Sequence, residues 1–118
     1  MDHTRRRFER AAVSLNAWGE TKNDPDVAHL FNARTRDIAA RGTCLVLEQP
    51  NGFSAGQRIN FGIEIVHGDL PVEAHGLVRW VRMEGQSQET QLMGVEMLGM
   101  RTVHDYERWL EMLTFFGI

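Results

Sequence analysis

The sequence has few of the features that place a protein outside a reducing compartment or inside a membrane. Its 118 residues include one cysteine, so no disulfide can form within the chain and we expect a cytoplasmic protein. That residue, Cys44, lies in an apolar run and is predicted to fill the core rather than act as a nucleophile. No run of about eighteen apolar residues is present, and no apolar stretch follows the basic start MDHTRRRFER. We therefore expect neither a signal peptide nor membrane insertion.

Catalytic and metal-binding motifs are equally scarce. The sequence contains no GxSxG, P-loop, HExxH or paired CxxC motif. The five histidines fall in separate segments without ligand spacing: His3, His29, His67, His75 and His104. These absences predict a protein that is not an enzyme and that holds neither a metal nor a cofactor.

Lysine is the rarest charged residue, with Lys22 its single occurrence among thirteen basic residues. The net charge of −3 and the pI of about 5.9 argue against broad electrostatic binding of nucleic acid, so no nucleic-acid partner is expected. Codon composition alone could produce an arginine excess, but it does not explain clustering. Four arginines lie within the first ten residues: Arg5, Arg6, Arg7 and Arg10. A guanidinium fork fits guanine edges and phosphates, as a lysine ammonium cannot.

Short stretches of alternating or continuous apolar residues predict strands separated by turns. They cover residues 11–17, 27–36, 43–48, 60–66, 70–81 and 91–97. Asp37 to Gly42 breaks the alternation and ends in glycine, as a tight loop would. Many short strands with frequent turns indicate an antiparallel barrel or a sandwich.

The end of the chain changes to a helical period. Thr102, with Asp105 three residues later, predicts a capped helix start. Apolar residues then recur at helical spacing, namely Val103, Tyr106, Leu110 and Leu113, flanked by Trp109, Met112 and Phe116. We expect one amphipathic helix of about four turns packed on the strands. Its apolar arc is wide enough to face a partner as well.

Two short motifs stand out by their order and spacing. Arg6 and Arg10 form an RxxxR segment ahead of the first predicted strand. About thirty residues later, DIAARG follows the second predicted strand, from Asp37 to Gly42. With these motifs the chain resembles the PilZ domain family, which is marked by RxxxR and by a D/N-x-S-x-x-G loop. Val78-Arg79-Trp80 and the stretch from Leu92 to Met97 are similar to later motifs of that family.

The resemblance covers nearly the whole chain and implies a mostly β fold, a six-stranded antiparallel β-barrel with a C-terminal α-helix. It implies a single domain over 1–118, with a flexible arginine arm at 1–10, the barrel at 11–98 and the helix at 102–116.

The resemblance also implies cyclic di-GMP as the ligand. Arginine forks of the arm, from Arg6, Arg7 and Arg10, would contact guanine edges and phosphates. Asp37 would accept from the guanine amines, and Gly42 would let the backbone approach closely. Two alternatives stay open for Trp80, which either stacks on a purine or packs in the core.

One position departs from the family pattern. Ala39 stands where the family has a serine, so one hydroxyl hydrogen bond is missing. Such a bond contributes about 0.5–1.5 kcal/mol, which predicts binding weakened by a factor of about ten.

The sequence therefore predicts a free-standing cyclic di-GMP receptor that orders its arginine arm on binding and signals to a protein partner. The alternative is a module of the same fold that binds no nucleotide. It would dock through the apolar helix, with Trp109, Leu113 and Phe116, which also offers a surface for a homodimer.

Overall fold

The structure is a computed structural model that describes residues 10–21, 30–47 and 52–118. Within these ranges the chain forms seven strands and one helix. In chain order they are β1 (Arg10–Ala11), β2 (Asn16–Thr21), β3 (Leu30–Ala39), β4 (Gly42–Leu47), β5 (Arg58–Ile63), β6 (Val72–Glu84), β7 (Thr90–Met100) and α1 (Val103–Phe115).

Six of these strands close into a barrel. The order β3-β2-β5-β6-β7-β4 returns to β3, and every pairing is antiparallel. The two-residue β1 pairs with the far end of β3, where Arg10 lies opposite Ala39. Closure leaves the six long strands without a free edge. The predicted six-stranded antiparallel barrel with a C-terminal helix is therefore confirmed.

Alternation along the strands fills the barrel interior. On β3, for example, Phe31, Ala33 and Thr35 are buried, and the residues between them are exposed. The interior is closely packed and almost wholly apolar. Its large buried side chains include Phe31, Leu45, Ile59, Phe61, Val78 and Met93.

The helix α1 is hydrogen-bonded to the barrel at two positions of its buried face, Asp105 and Trp109. As predicted, the Thr102 hydroxyl caps the helix by accepting from the Asp105 amide at 3.0 Å. The Asp105 carboxylate accepts from the Glu73 amide of β6 at 3.4 Å. Trp109 is fully buried, and its Nε1 donates to the Ala39 carbonyl oxygen at 3.2 Å. The helix thus packs against β6 and β7 and is hydrogen-bonded to the end of β3. No helix of the described residues is long and apolar enough to cross a membrane.

The first predicted strand, residues 11–17, is wrong. Ala11 pairs with the far end of β3, and the next strand begins only at Asn16. Between them the chain bonds to a side chain, because the Thr35 hydroxyl donates to Val13 O and accepts from the Leu15 amide. This side-chain pairing replaces a regular ladder, so the apolar alternation there does not form a strand.

The second predicted strand ended at Arg36, and this boundary is also wrong. Its predicted beginning, residues 27–29, lies outside the described residues, but β3 continues through Asp37 to Ala39. A β-bulge between Thr35 and Asp37 shifts the register there, which explains the break in alternation. The predicted loop from Asp37 to Gly42 is therefore a strand end, a two-residue turn and the first residue of β4.

Candidate functional site

Arg10 and Asp37, 27 residues apart, meet on the outside of the barrel. Arg10 Nη1 donates to Asp37 Oδ1 at 2.5 Å, and both side chains are partly exposed. The contact follows from the pairing of β1 with β3, because a residue opposite Ala39 is diagonal to Asp37 on the same face. The sheet thus places a guanidinium fork beside a carboxylate acceptor, as the two motifs required.

Gly42 lies beside Ala39 in the sheet, on the same line of paired residues as Arg10. It pairs with Ala39 on one side and with Glu96 on the other. A Cβ at Gly42 would lie 2.8 Å from the Val95 carbonyl oxygen and 3.7 Å from Arg10 Nη2. Glycine is needed here because β7 approaches closely, and a side chain would begin next to the Arg10 guanidinium.

Ala39 lies between Arg10 and Gly42 and is almost fully buried, at 3% exposed. It alternates with the core residue Ile38, so its methyl group points to the outer face, beneath the arginine. Its carbonyl oxygen accepts from the Trp109 indole, as described above. Ala39 therefore connects the outer face of the barrel with the buried face of α1.

Trp80 lies on that same outer face. Register aligns Asp37, Cys44, Gly94 and Trp80 across β3, β4, β7 and β6. The indole lies flat over Gly94, where a Cβ would overlap it, and Trp80 is 42% exposed. Of the two alternatives left open, core packing is wrong. Three strand spacings of about 4.8 Å place the Trp80 and Asp37 backbones about 14 Å apart.

Two β-bulges lie beside the aligned residues Asp37, Cys44, Gly94 and Trp80, one in β3 and one in β6. Register shifts occur between Thr35 and Asp37 and between Val78 and Trp80. Bulges redirect neighbouring side chains and are frequent beside functional sites.

Cys44 is buried, as predicted. It alternates with core residues of β4, so its side chain lies on the outer side of the sheet, covered by other side chains, rather than in the barrel interior. Burial raises the pKa of its thiol, so it stays protonated at neutral pH.

Sequence reasoning missed an ion-pair cluster at one end of this face. Glu84 Oε2 accepts from Arg36 Nη1 at 3.1 Å and from Arg82 Nη2 at 3.2 Å. The Arg82 guanidinium carbon lies 5.6 Å from the Trp80 ring centroid, within cation–π range. Period two along β6 could have placed Arg82 and Glu84 on the Trp80 face. No sequence signal pointed to Arg36, because it lies at a bulge.

The other two arginines of the arm, Arg6 and Arg7, lie outside the described residues. The described ranges contain no group of three or more histidine, cysteine or acidic side chains that could hold a metal ion. The site is therefore described by Arg10, Asp37, Ala39, Gly42 and Trp80, with the Glu84 cluster beside them.

Fold and site together define a small closed β-barrel domain whose outer face gathers guanidinium groups around a tryptophan. The family model of the PilZ domain matches residues 4–116, so the chain belongs to the PilZ domain family. Comparison with curated proteins gives no match.

Three solved structures share this fold at low sequence identity. The Bacillus subtilis inhibitor of motility, MotI/DgrA, is 19% identical with a TM-score of 0.68, over 92% of this chain and 48% of that one. The PilZ domain of YcgR from Escherichia coli, determined with c-di-GMP, is 17% identical with a TM-score of 0.62, over 95% and 90%. Apo MrkH of K. pneumonia is 16% identical with a TM-score of 0.73, over 98% and 52%. The chain thus spans about half the length of MotI/DgrA and of MrkH.

Proposed function

We propose that this domain is a receptor for cyclic di-GMP that acts by binding the nucleotide rather than by catalysis. The family supports this function, since the similar YcgR domain was determined with c-di-GMP. The observation that carries the proposal is the convergence of Arg10, Asp37 and Gly42 in one corner of the outer face.

The chemistry of that corner suits a guanine with a phosphate beside it. Asp37 accepts from the N1 and N2 donors of a guanine, and Arg10 donates to its N7 and O6 edge or to a phosphate. In the free protein the two side chains satisfy each other. Because they form an exposed pair, which contributes about 0–1 kcal/mol, a ligand replaces their contact at small cost.

The signalling step belongs to the arm. Because Arg10 already lies in β1, we infer that Arg6 and Arg7 close over the bound nucleotide, order residues 1–9 and present a changed surface to a protein partner. Arg10 connects the arm to the barrel, because it pairs with Ala39 of β3. Hydrogen exchange of residues 1–9 with and without nucleotide tests this step, and unchanged exchange would contradict it.

Calorimetric titration of the purified domain tests the receptor function. We expect micromolar or tighter binding of cyclic di-GMP, with a clear preference over GMP and ATP, because two guanines and two phosphates engage separate groups of the outer face. A flat titration at high micromolar protein would overturn the proposal.

A second candidate is protein–protein interaction through α1, for which the exposed side of the helix is the observation. Of the predicted docking residues, Phe116 is 39% exposed, but Trp109 and Leu113 are buried, so the predicted docking face is wrong at these two positions. The exposed apolar residues are instead Val103, Tyr106, Leu110 and Phe115, at 75%, 50%, 38% and 83%. These side chains form an apolar surface that would suit a protein partner or a second copy of the domain. A flat nucleotide titration would favour this function over the first.

A further inference from the structure

The Glu84 cluster crosses the outer face rather than running along one strand. Arg36 belongs to β3 and Glu84 to β6, with β4 and β7 between them. Leu92 of β7 lies on this outer face, since it alternates with the core residue Met93, yet it is only 1% exposed. Its burial is expected if the long Arg36 and Arg82 side chains cover it from above.

Glu84 thereby bonds both guanidinium groups beside Trp80 and offsets one of their two positive charges. The bond from Arg36 holds the pKa of Glu84 below its usual value, so the carboxylate stays charged at neutral pH. All three side chains remain partly exposed, between 39% and 61%. Ion pairs at such positions contribute little to stability, so an incoming anion can replace the carboxylate as their partner.

The neighbouring arginine of β3 serves a different purpose. Arg34 Nε donates to the Ser14 hydroxyl at 2.8 Å, and its Nη1 donates to Asn16 Oδ1 at 2.7 Å. These bonds fasten Arg34 to the segment before β2 and direct it away from the Glu84 cluster. Arg36 and Arg82 therefore meet at Glu84 beside Trp80, and Arg34 does not join them.

We propose that Arg36 and Arg82 form a second anion-binding subsite for the cyclic dinucleotide, and that Glu84 is a built-in competitor for it. The inference rests on the proposed function. The ligand's two phosphates are separated, so contacts at the Arg10 corner leave a phosphate or guanine edge to be met elsewhere. A fork donor next to an exposed indole suits this end of the ligand. The carboxylate opposes binding, because it takes one donor nitrogen of each guanidinium and repels a phosphate.

The test measures cyclic di-GMP affinity for the parent, Glu84→Gln and Glu73→Gln by calorimetry. Glu73 is a matched control: it lies on the same strand, pairs with Arg101, and its side chain is 40% exposed against 39% for Glu84. We expect Glu84→Gln to tighten binding about fivefold, as removal of a competing surface charge should. Glu73→Gln should stay within about twofold, as for a surface change away from the site.

Arginine variants complete the test. Arg36→Ala and Arg82→Ala should each weaken binding by roughly tenfold, and Arg82→Ala should remove most of the gain from Glu84→Gln. Equal affinities for parent, Glu84→Gln and both arginine variants would overturn the subsite while leaving the receptor function intact. A parent domain that binds no cyclic di-GMP would instead overturn the receptor function itself, and the subsite with it. Melting temperatures confirm that each variant is folded.

Discussion

Two tryptophans lie on different parts of the outer surface of the barrel, and each packs on a glycine of the neighbouring strand. Trp80 covers Gly94, and Trp18 covers Gly62, where a Cβ would lie 3.2 Å from the indole. The two are similarly exposed, at 42% and 37%. The same arrangement, a tryptophan packed on a glycine of the paired strand, therefore occurs twice on the barrel. The two sites differ in the residues around them.

Those surroundings differ in shape and in charge. The Trp18 face contains a cavity of about 450 Å³, lined by residues such as Leu30, Asn60 and His75. Its acidic and basic lining residues are Glu20 and the ion pair between Arg101 and Glu73, so it contains one guanidinium group. The Trp80 face carries several guanidinium groups, those of Arg10, Arg36, Arg79 and Arg82. Because the proposed ligand has two phosphates, these donors are the reason that we propose its site beside Trp80 rather than in the cavity.

The largest difference in cyclic di-GMP affinity between the two faces is expected when one arginine is removed from each. Arg10→Ala should weaken cyclic di-GMP binding by roughly 1–3 kcal/mol, the range for a lost bidentate guanine contact, or about five- to 150-fold. Arg101→Ala removes an arginine that also pairs with a carboxylate, but on the Trp18 face, and should leave affinity unchanged. Calorimetry measures both.

Thermal unfolding of the same two variants separates binding from folding. Arg10 forms an exposed ion pair and one end of a two-residue strand, so its loss should move the melting temperature little. A fall of many degrees would make Arg10 a structural residue and would contradict its assignment to the ligand.

A smaller effect is expected when the two aromatic platforms are exchanged for alanine. Stacking of a base on an aromatic ring contributes about 1–3 kcal/mol, and Trp80→Ala should fall near the lower end because Arg82 already occupies part of the ring. Trp18→Ala serves as the control and should bind as the parent does. If Trp18→Ala were instead the variant that loses affinity, the ligand would belong to the cavity on its face.

The sequence predicted the features of the site that depend on motif order. The two motifs alone assign Arg10, Asp37 and Gly42 to one ligand, and the structure brings these residues together. The helix cap at Thr102 was predicted for a similar reason, because its partner Asp105 lies only three residues away. Contacts of this kind are encoded by local spacing or by short motifs, both of which are visible in one sequence.

Features that depend on register were not predictable. The β-bulge before Asp37 interrupts the apolar alternation, so the alternation did not reveal the end of β3. A second β-bulge precedes Trp80 in β6. The Glu84 cluster joins strands that are three apart in the sheet, so no spacing along the chain reveals it. The helix shows the same limit, because Trp109 is buried while Tyr106, on the predicted apolar arc, is half exposed.

The last prediction concerns Ala39, which lies between Arg10 of the first motif and Gly42 of the second. Ala39→Ser adds the hydroxyl that the family motif contains, between Arg10 and Gly42. Restoring one hydrogen bond of about 1 kcal/mol should tighten binding by up to about tenfold. Ala40→Ser is the matched control, since it adds the same group one residue later, in the turn beside Tyr106. Its affinity should equal that of the parent.

Burial decides how Ala39→Ser affects the free protein. The methyl group is only 3% exposed, and the carbonyl oxygen of this residue is already bonded to Trp109. Without ligand, the added hydroxyl must therefore take part of the Arg10 guanidinium or stay unsatisfied, which costs about 1–3 kcal/mol in the second case. We expect a slightly lower melting temperature without nucleotide and a larger stabilisation on adding it, measured by thermal unfolding with and without cyclic di-GMP. Equal affinities for the parent and Ala39→Ser would show that position 39 does not face the nucleotide, and the serine role of the family would not transfer to this site.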